Sequence, residues 1–341
     1  MALLLKNQTA EEMHTRLGIT LRQARMIQAA VIRTGNLPEP QDGLSKKILQ
    51  TVRDATEVPN LTVINKTVSP QDGFTKYLFR GNGPELFEAV HIPLLHREDD
   101  QKVIACVSSQ VGCAMGCAFC YTGKMGFIRN LSAWEMVDQV VKIQADSPYP
   151  VRGVVFMGMG EPLLNYDEVI RAARILSEPC GGAISAKAIT LSTAGIAPAI
   201  RRFTAEKQPF RLVISLTSAD PQKRRELMPV ENIHSSAELM GALRERYAVT
   251  GKRIPLAWTM ISGLNTGEED AKQLAELTRG LPVMLDLIDV NDPSGKYAPP
   301  SPDELNAFRD ALRLHLGAPV VRRYSGGKDI LAACGLLAGT Q

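Results

Sequence analysis

From about residue 100 onward the chain alternates stretches of strand composition with stretches of helical period, and this alternation restricts the fold more than any single residue. Candidate strands lie at 103–108, 153–157, 187–192, 211–216, 254–260 and 284–290, with helical patterns near 132–145, 166–177, 195–205, 235–247, 267–280 and 302–315. Strands that take turns with helices form a parallel sheet with the helices outside it. About six such units over 99–341 predict an α/β partial (β/α)6 barrel rather than a closed eight-unit one. Residues 1–55 predict a small N-terminal helical module: Thr9 and Glu12 spell a capping box, Thr20 opens a second helix, and a third follows near 43–54. Residues 56–98 predict a short antiparallel β extension with strands around Leu61–Ile64, Thr75–Phe79 and Phe87–Ile92.

The stretch after the first of the alternating strands, Cys106 to Cys120, reads C-V-S-S-Q-V-G-C-A-M-G-C-A-F-C. Within it Cys113, Cys117 and Cys120 form C-x-x-x-C-x-x-C. A 4Fe-4S cluster normally takes four cysteine ligands, so three thiolates on one loop leave the fourth iron open. An open iron can chelate the amino and carboxylate groups of S-adenosylmethionine, and this loop resembles that of the radical SAM enzymes. Zinc is the alternative, because it too accepts cysteines at such spacings. A structural zinc needs a fourth ligand, and no second C-x-x-C or nearby histidine supplies one.

Ligands of parallel α/β sheets sit at the carboxyl ends of the strands, where the remaining candidate residues also fall. Gly158, Gly160 and Glu161 follow the second strand, Ser192 ends the third, Ser215 and Thr217 the fourth, and Asn291 the sixth. The glycines let a backbone approach a ligand closely. Glu161 is suited to the methionine ammonium, and Ser192, Ser215, Thr217 and Asn291 to ribose and carboxylate groups. Taken singly, a Gly-Met-Gly or a strand-end serine is ordinary turn chemistry. Glu88, beside the last strand of the extension, reads by default as a solvent-facing strand residue, and Cys106 and Cys334 as small buried residues, Cys334 in a C-terminal helix. Cys180, in E-P-C-G-G, reads as a spare thiol beside a glycine turn.

Composition closes off other classes. The chain has 341 residues, 45% of them hydrophobic, enough for one large core and a smaller module. No uninterrupted apolar stretch approaches the roughly 18–20 residues of a spanning helix, which predicts no membrane, and the start is too short for a signal peptide. Six cysteines, three of them in a metal-type motif, suit a reducing compartment and predict a cytoplasmic protein. A net charge of +3 is too small to announce a nucleic-acid partner. Local clusters suit phosphates better: Arg201-Arg202 with Lys207 and Arg211, Lys223-Arg224-Arg225, Arg244 and Arg246 with Lys252-Arg253, and Arg322-Arg323 with Lys328. Each reads equally as a solvated surface.

The motifs C-V-S-S-Q-V-G-C-x-M-x-C-x-F-C, G-F-x-R-N-L-S, G-M-G-E-P-L-L-N, T-L-S-T-x-G and, near the end, D-I-x-A-A-C-G-x-L-A-G closely resemble the RlmN/Cfr family of radical SAM RNA methyltransferases. The likeness runs from about residue 60 to the carboxyl end, and the tail cysteine is its discriminating part. It implies that Cys113, Cys117 and Cys120 bind the cluster, and that Gly160, Glu161, Ser192, the Ser215-Leu216-Thr217 segment and Asn291 bind S-adenosylmethionine. It also implies that Cys334 carries the methyl group, Cys106 resolves the intermediate through a transient disulfide, and Glu88 accepts a proton. The implied reaction methylates a ring carbon of adenosine in ribosomal RNA, transfer RNA or both, with an external electron donor such as flavodoxin and the enzyme acting as a monomer. Where the family commonly reads S-L-H this chain has Ser215-Leu216-Thr217, and Leu336 stands where a glutamine is usual. The competing readings are a radical SAM activase or peptide-modifying enzyme, and a non-catalytic zinc-bearing RNA-binding protein.

Overall fold

A computed structural model describes residues 2–94 and 101–339. Its centre is one ten-stranded sheet. In chain order the strands are β1 (Thr62–Val68), β2 (Thr75–Arg80), β3 (Leu86–Leu94), β4 (Lys102–Cys106), β5 (Val151–Phe156), β6 (Ile189–Thr193), β7 (Arg211–Ser215), β8 (Ile254–Met260), β9 (Val283–Asp289) and β10 (Val320–Arg323). Each strand pairs with its predecessor and successor, so the order in space is the order in sequence. Pairing is antiparallel from β1 to β4 and parallel from β4 to β10. The sheet does not close on itself; β1 and β10 are its edges.

The six alternating strands predicted from sequence are β4 to β9, and the sheet has a seventh parallel strand, β10, that the pattern does not reveal. It is four residues long, V-V-R-R, and none of the four is fully buried. Its arginines are held by the neighbouring strand: Arg323 donates to Asp286 at 2.5 Å and Arg322 to Asp289 at 2.7 Å. An edge strand secured by ion pairs needs no apolar alternation. A two-stranded hairpin, Gln110–Gly112 with Phe127–Asn130, is likewise not evident from the pattern, and it frames the cysteine loop.

The extension at 56–98 is continuous with the main sheet, since β3 pairs with β4 from Val90↔Cys106 to Leu94↔Lys102. Its expected boundary at 98/99 lies outside the described residues. Its turn clamps the far end of the chain: Gly327 N–H donates to Asp72 at 2.8 Å, Tyr324 O–H to the same carboxylate at 3.0 Å, and Ser69 Oγ to Asp329 at 2.9 Å.

The N-terminal module holds α1 (Ala10–Leu17), α2 (Leu21–Thr34) and α3 (Lys46–Ala55). The capping box forms, with Glu12 N–H donating to Thr9 Oγ1 and Thr9 N–H to Glu12 Oε2. The module buries its own apolar cluster around Met13, Ile27 and Leu44, against which Cys180 packs. Cys180 donates to Gln28 at 2.8 Å, so the spare thiol belongs to this contact.

One buried ion pair ties module to core. Lys6 Nζ lies 2.5 Å from Asp138 Oδ1, both side chains fully buried. Asp138 Oδ2 accepts from Leu61 N–H at 2.6 Å, and Lys6 also donates to Asn60. Burial lowers the Lys6 pKa from its ordinary value and Asp138 opposes that effect. Asp138→Ala leaves a buried ammonium without its counter-charge and is expected to cost about 3–5 kcal/mol in denaturant unfolding. The Lys6→Met/Asp138→Leu double variant should recover most of that loss; a double variant as unstable as the single would exclude the ion pair as the cause.

Candidate active site

The loops after β4, β5, β6, β7 and β9 meet at the carboxyl ends of the parallel strands. The loop after β5 lies directly on the segment after β4. Ser109 and Gln110 N–H groups donate to the Met159 carbonyl at 2.9 and 3.2 Å, Met159 N–H donates to Ser108 Oγ at 2.8 Å, and Glu161 N–H to Gln110 Oε1 at 2.9 Å. This contact explains the glycines. A Cβ on Gly158 would stand 2.8 Å from the Val107 carbonyl oxygen, and one on Gly160, whose φ is +101°, would stand 2.6 Å from Gln110 Cβ. Sequence reasoning assigns their freedom to a ligand; much of it serves this contact between two loops.

A cavity of about 180 Å³ opens at this junction, and its wall includes Cys113, Cys117, Cys120, Gly160, Glu161, Ser192, Ser215 and Asn291. Leu216 and Thr217 are absent from that wall. Leu216 is fully buried, and Thr217 is buried with φ +61°, its carbonyl accepting from Asn265 at 2.7 Å. A β-branched residue in that left-handed region is strained. The chain therefore turns away from the cavity immediately after Ser215.

Glu161 links two of the converging loops, accepting from Leu163 N–H at 2.9 Å and Ala194 N–H at 2.7 Å. Burial pushes its pKa up to about 7, while those amides pull the other way. Ser192 Oγ and Ser215 Oγ stand 3.3 Å apart on neighbouring strands. Two acceptors of the wall have no partner among the described residues, Asn291 Oδ1 and Asp289 Oδ1. Asp289 is not among the residues that sequence reasoning singles out. Its only signal is its place at a strand end, two residues before Asn291.

The carboxyl-terminal segment closes one side. Residues 328–339 form turns and irregular backbone, so Cys334 does not sit in the C-terminal helix expected of a small buried residue. Cross-chain hydrogen bonds hold the segment instead. Asn291 Nδ2 donates to the Cys334 carbonyl at 3.2 Å, Tyr121 N–H to the Gly335 carbonyl at 2.8 Å and Thr122 Oγ1 to the Leu337 carbonyl at 2.6 Å. Cys334 lines the first cavity and also a second of about 130 Å³, which Cys106 lines too. Both are free thiols, Cys106 buried and Cys334 solvent-accessible. Surrounding protein atoms raise both thiol pKa values, with Cys334 adding to the effect on Cys106 and Arg323 opposing the effect on Cys334.

Glu88 is not the solvent-facing residue its strand position suggests; its side chain is 1% exposed. Its carboxylate accepts from Ala338 N–H at 2.8 Å and Gly339 N–H at 3.0 Å, and pairs with Lys76 Nζ at 3.0 Å. Glu88 lines neither cavity.

Comparison with known proteins agrees with this architecture. Residues 107–286 match the radical SAM superfamily. A Myxococcus xanthus protein described as a probable RNA methyltransferase is 51% identical over 87% of this chain and 81% of its own. The dual-specificity RNA methyltransferase RlmN of Syntrophobacter fumaroxidans is 43% identical over 86% of this chain and 84% of its own. The chain belongs to the RlmN/Cfr family of radical SAM RNA methyltransferases. The crystal structure of a radical SAM methyltransferase from Sphaerobacter thermophilus superposes with a TM-score of 0.88, covering 99% of this chain and all of that one at 34% identity.

Members of the radical SAM superfamily use a 4Fe-4S cluster and S-adenosylmethionine, and the residues of the first cavity fit both. Burial raises the Cys113 thiol to about 12 and also raises Cys117, each worsened by the charge of its neighbouring cysteine. Thiols that resist ionising against one another gain most from a bound cation that displaces their protons. Cys113, Cys117 and Cys120 share the wall of one cavity, where a cluster would give each thiolate its own iron. The unpartnered Asn291 and Asp289 oxygens suit the hydroxyl and ammonium donors of S-adenosylmethionine.

The docking of the tail yields a test. Glu88→Ala removes the acceptor for the Ala338 and Gly339 amides, and iodoacetamide should then alkylate Cys334 in the cluster-free protein several-fold faster than in wild type. Glu88→Gln keeps an acceptor oxygen and should fall between the two; identical rates in all three proteins would exclude the latch.

Proposed function

We propose that this enzyme methylates a ring carbon of adenosine in ribosomal RNA, transfer RNA or both, by way of a methyl group carried on Cys334. The observation that carries the reading is the position of Cys334, which lines one cavity with the three-cysteine loop and another with Cys106. A single side chain with access to both can collect a carbon unit in one and be released from it in the other.

Cys113, Cys117 and Cys120 would hold a cluster that, when bound, would supply the electron to cleave S-adenosylmethionine. The chemistry calls for a carrier because a ring carbon of adenine is electron-poor and does not attack a sulfonium methyl as a thiolate does. The Cys334 thiolate is such a nucleophile once it ionises. Arg323 favours that ionisation and the surrounding protein opposes it. The methyl group on Cys334 would give a hydrogen atom to the deoxyadenosyl radical left by cleavage of a second S-adenosylmethionine, and the resulting carbon radical would join to the base and tether protein to RNA. Glu88 accepts the ring proton, which requires its carboxylate to be released from the Ala338 and Gly339 amides on one oxygen or from Lys76 on the other. Cys106 then attacks the sulfur of Cys334, breaking the bond to the transferred carbon and forming a transient disulfide. The target base leaves its stack to reach Cys334.

Glu161, Ser192, Ser215, Asp289 and Asn291 hold S-adenosylmethionine in this reading. Thr217, where the family usually has histidine, lies off the cavity wall, and its buried hydroxyl has no hydrogen-bond partner among the described residues. An external electron donor such as flavodoxin reduces the cluster, and the reaction takes place in the cytoplasm. No helix among the described residues is long and apolar enough to cross a membrane.

Reconstituted Cys106→Ala, incubated with RNA and S-adenosylmethionine, is expected to accumulate a covalent protein–RNA adduct on denaturing gels. Cys334→Ala should form none. Adduct-free behaviour of both variants, with S-adenosylmethionine still being cleaved, would remove the two-thiol mechanism while leaving the radical chemistry.

A further inference from the structure

The basic clusters of the sequence do not share one fate. Arg201 pairs with Glu245 at 3.1 Å, Arg202 with Asp167 at 2.5 Å, Lys223 with Asp270 at 2.8 Å and Arg224 with Glu231 at 2.5 Å. Arg322 and Arg323 pair with Asp289 and Asp286. These cations are neutralised in place and mostly secure the fold.

Most of the others converge, joined by Lys187. Lys187, Lys207, Arg211, Arg246, Lys252 and Arg253, drawn from three separate stretches of the chain, line one cavity of about 590 Å³, and no described Asp or Glu lines it with them. Among the described residues only Arg211 of these six has a carboxylate within ion-pairing distance, Asp286 at 3.6 Å. Arg246 rests over the Phe203 ring, 4.9 Å from its centroid, and burial lowers its pKa with no acid to offset the effect. The cavity sits at the amino ends of β7 and β8, since Arg211 and Leu212 open β7 and Ile254 and Pro255 open β8. The cysteines and S-adenosylmethionine ligands lie at the carboxyl ends. A strand of five to seven residues separates the two, or roughly 20 Å at about 3.3 Å per residue.

Gathering six cations, five of them with no carboxylate in ion-pairing distance among the described residues, costs stability through mutual repulsion, and an anion with several charges relieves it. Phosphate groups match the donors, because arginine and lysine are the side chains that bind them. We propose that this cavity is a second RNA contact, binding backbone phosphates of the substrate remote from the methylated base. The proposal rests on the RNA reading above. At that separation the cavity meets a different segment of a folded RNA from the one whose base reaches Cys334. It therefore favours a structured substrate over a short single strand, and none of its residues touches the reacting atoms.

The test compares wild type with Lys207→Ala/Lys252→Ala/Arg253→Ala, three exposed positions, after circular dichroism has established equal melting temperatures. Fluorescence anisotropy with an unmodified transfer RNA transcript should show the triple variant binding about tenfold more weakly. The slope of log K against log salt should shallow by about two, at about 0.7–0.9 for each phosphate that the variant no longer neutralises. Binding of a ten-nucleotide single strand and cleavage of S-adenosylmethionine without RNA should be unchanged. Equal transcript affinity and equal salt slope in the two proteins would overturn the proposal. If wild type instead binds tripolyphosphate, the variant does not, and transcript binding is unaffected, the cavity serves a free polyphosphate and the RNA assignment is wrong. Wild type that binds neither RNA would remove transfer RNA as the substrate and with it this contact, an outcome distinct from a failure confined to the triple variant.

Discussion

The site depends on the docking of an irregular carboxyl-terminal segment onto the sheet. That segment has no secondary structure of its own to satisfy its backbone groups, so side chains and amides from elsewhere in the chain do so: Asn291 and Tyr121 on Cys334 and Gly335, Thr122 on Leu337, and Glu88 on Ala338 and Gly339. Most of these contacts are single hydrogen bonds worth about 0.5–1.5 kcal/mol net, those to the Glu88 carboxylate somewhat more. They come from the β extension, from the cysteine loop and from the loop after β9. A segment held this way is positioned by distant parts of the chain rather than by a helix or strand of its own, and its Cys334 lines two cavities.

The same dependence accounts for the extension. Strands β1 to β3 add no helices and bring no ligand to the first cavity, yet they continue the sheet. Their contribution is at the tail: Asp72 and Ser69 clamp residues 324–329, and Glu88, neutralised by Lys76, takes the last described amides. A carboxylate that is 1% exposed needs such partners, because an isolated buried charge is strongly disfavoured. The loops of the parallel part of the sheet carry Cys113, Cys117, Cys120 and the rest of the first cavity's wall, and the antiparallel part fixes where the tail with Cys334 rests.

Charge is used in two ways. In the fold it is paired and buried, as between Lys6 and Asp138 or Arg224 and Glu231. At the amino ends of β7 and β8 it is gathered with Arg211 alone, among the described residues, near a carboxylate. Sequence alone cannot separate the two, because Arg201-Arg202 and Lys252-Arg253 look alike until the positions of the carboxylates are known.

The sequence by itself determined the α/β alternation, the three-cysteine loop and the convergence of strand-end residues, because each is written in local spacing: a helical period, a ligand interval, a turn after a strand. The family likeness likewise rested on short contiguous motifs. Tertiary structure alone decided that β10 joins the sheet through ion pairs to β9, that Gly158 and Gly160 accommodate a neighbouring loop, and that Leu216 and Thr217 turn away from the cavity. It also decided that Asp289 faces the cavity and that Glu88 grips the tail. Each of these is a contact between groups distant along the chain, and one chain's residue order does not record such distances.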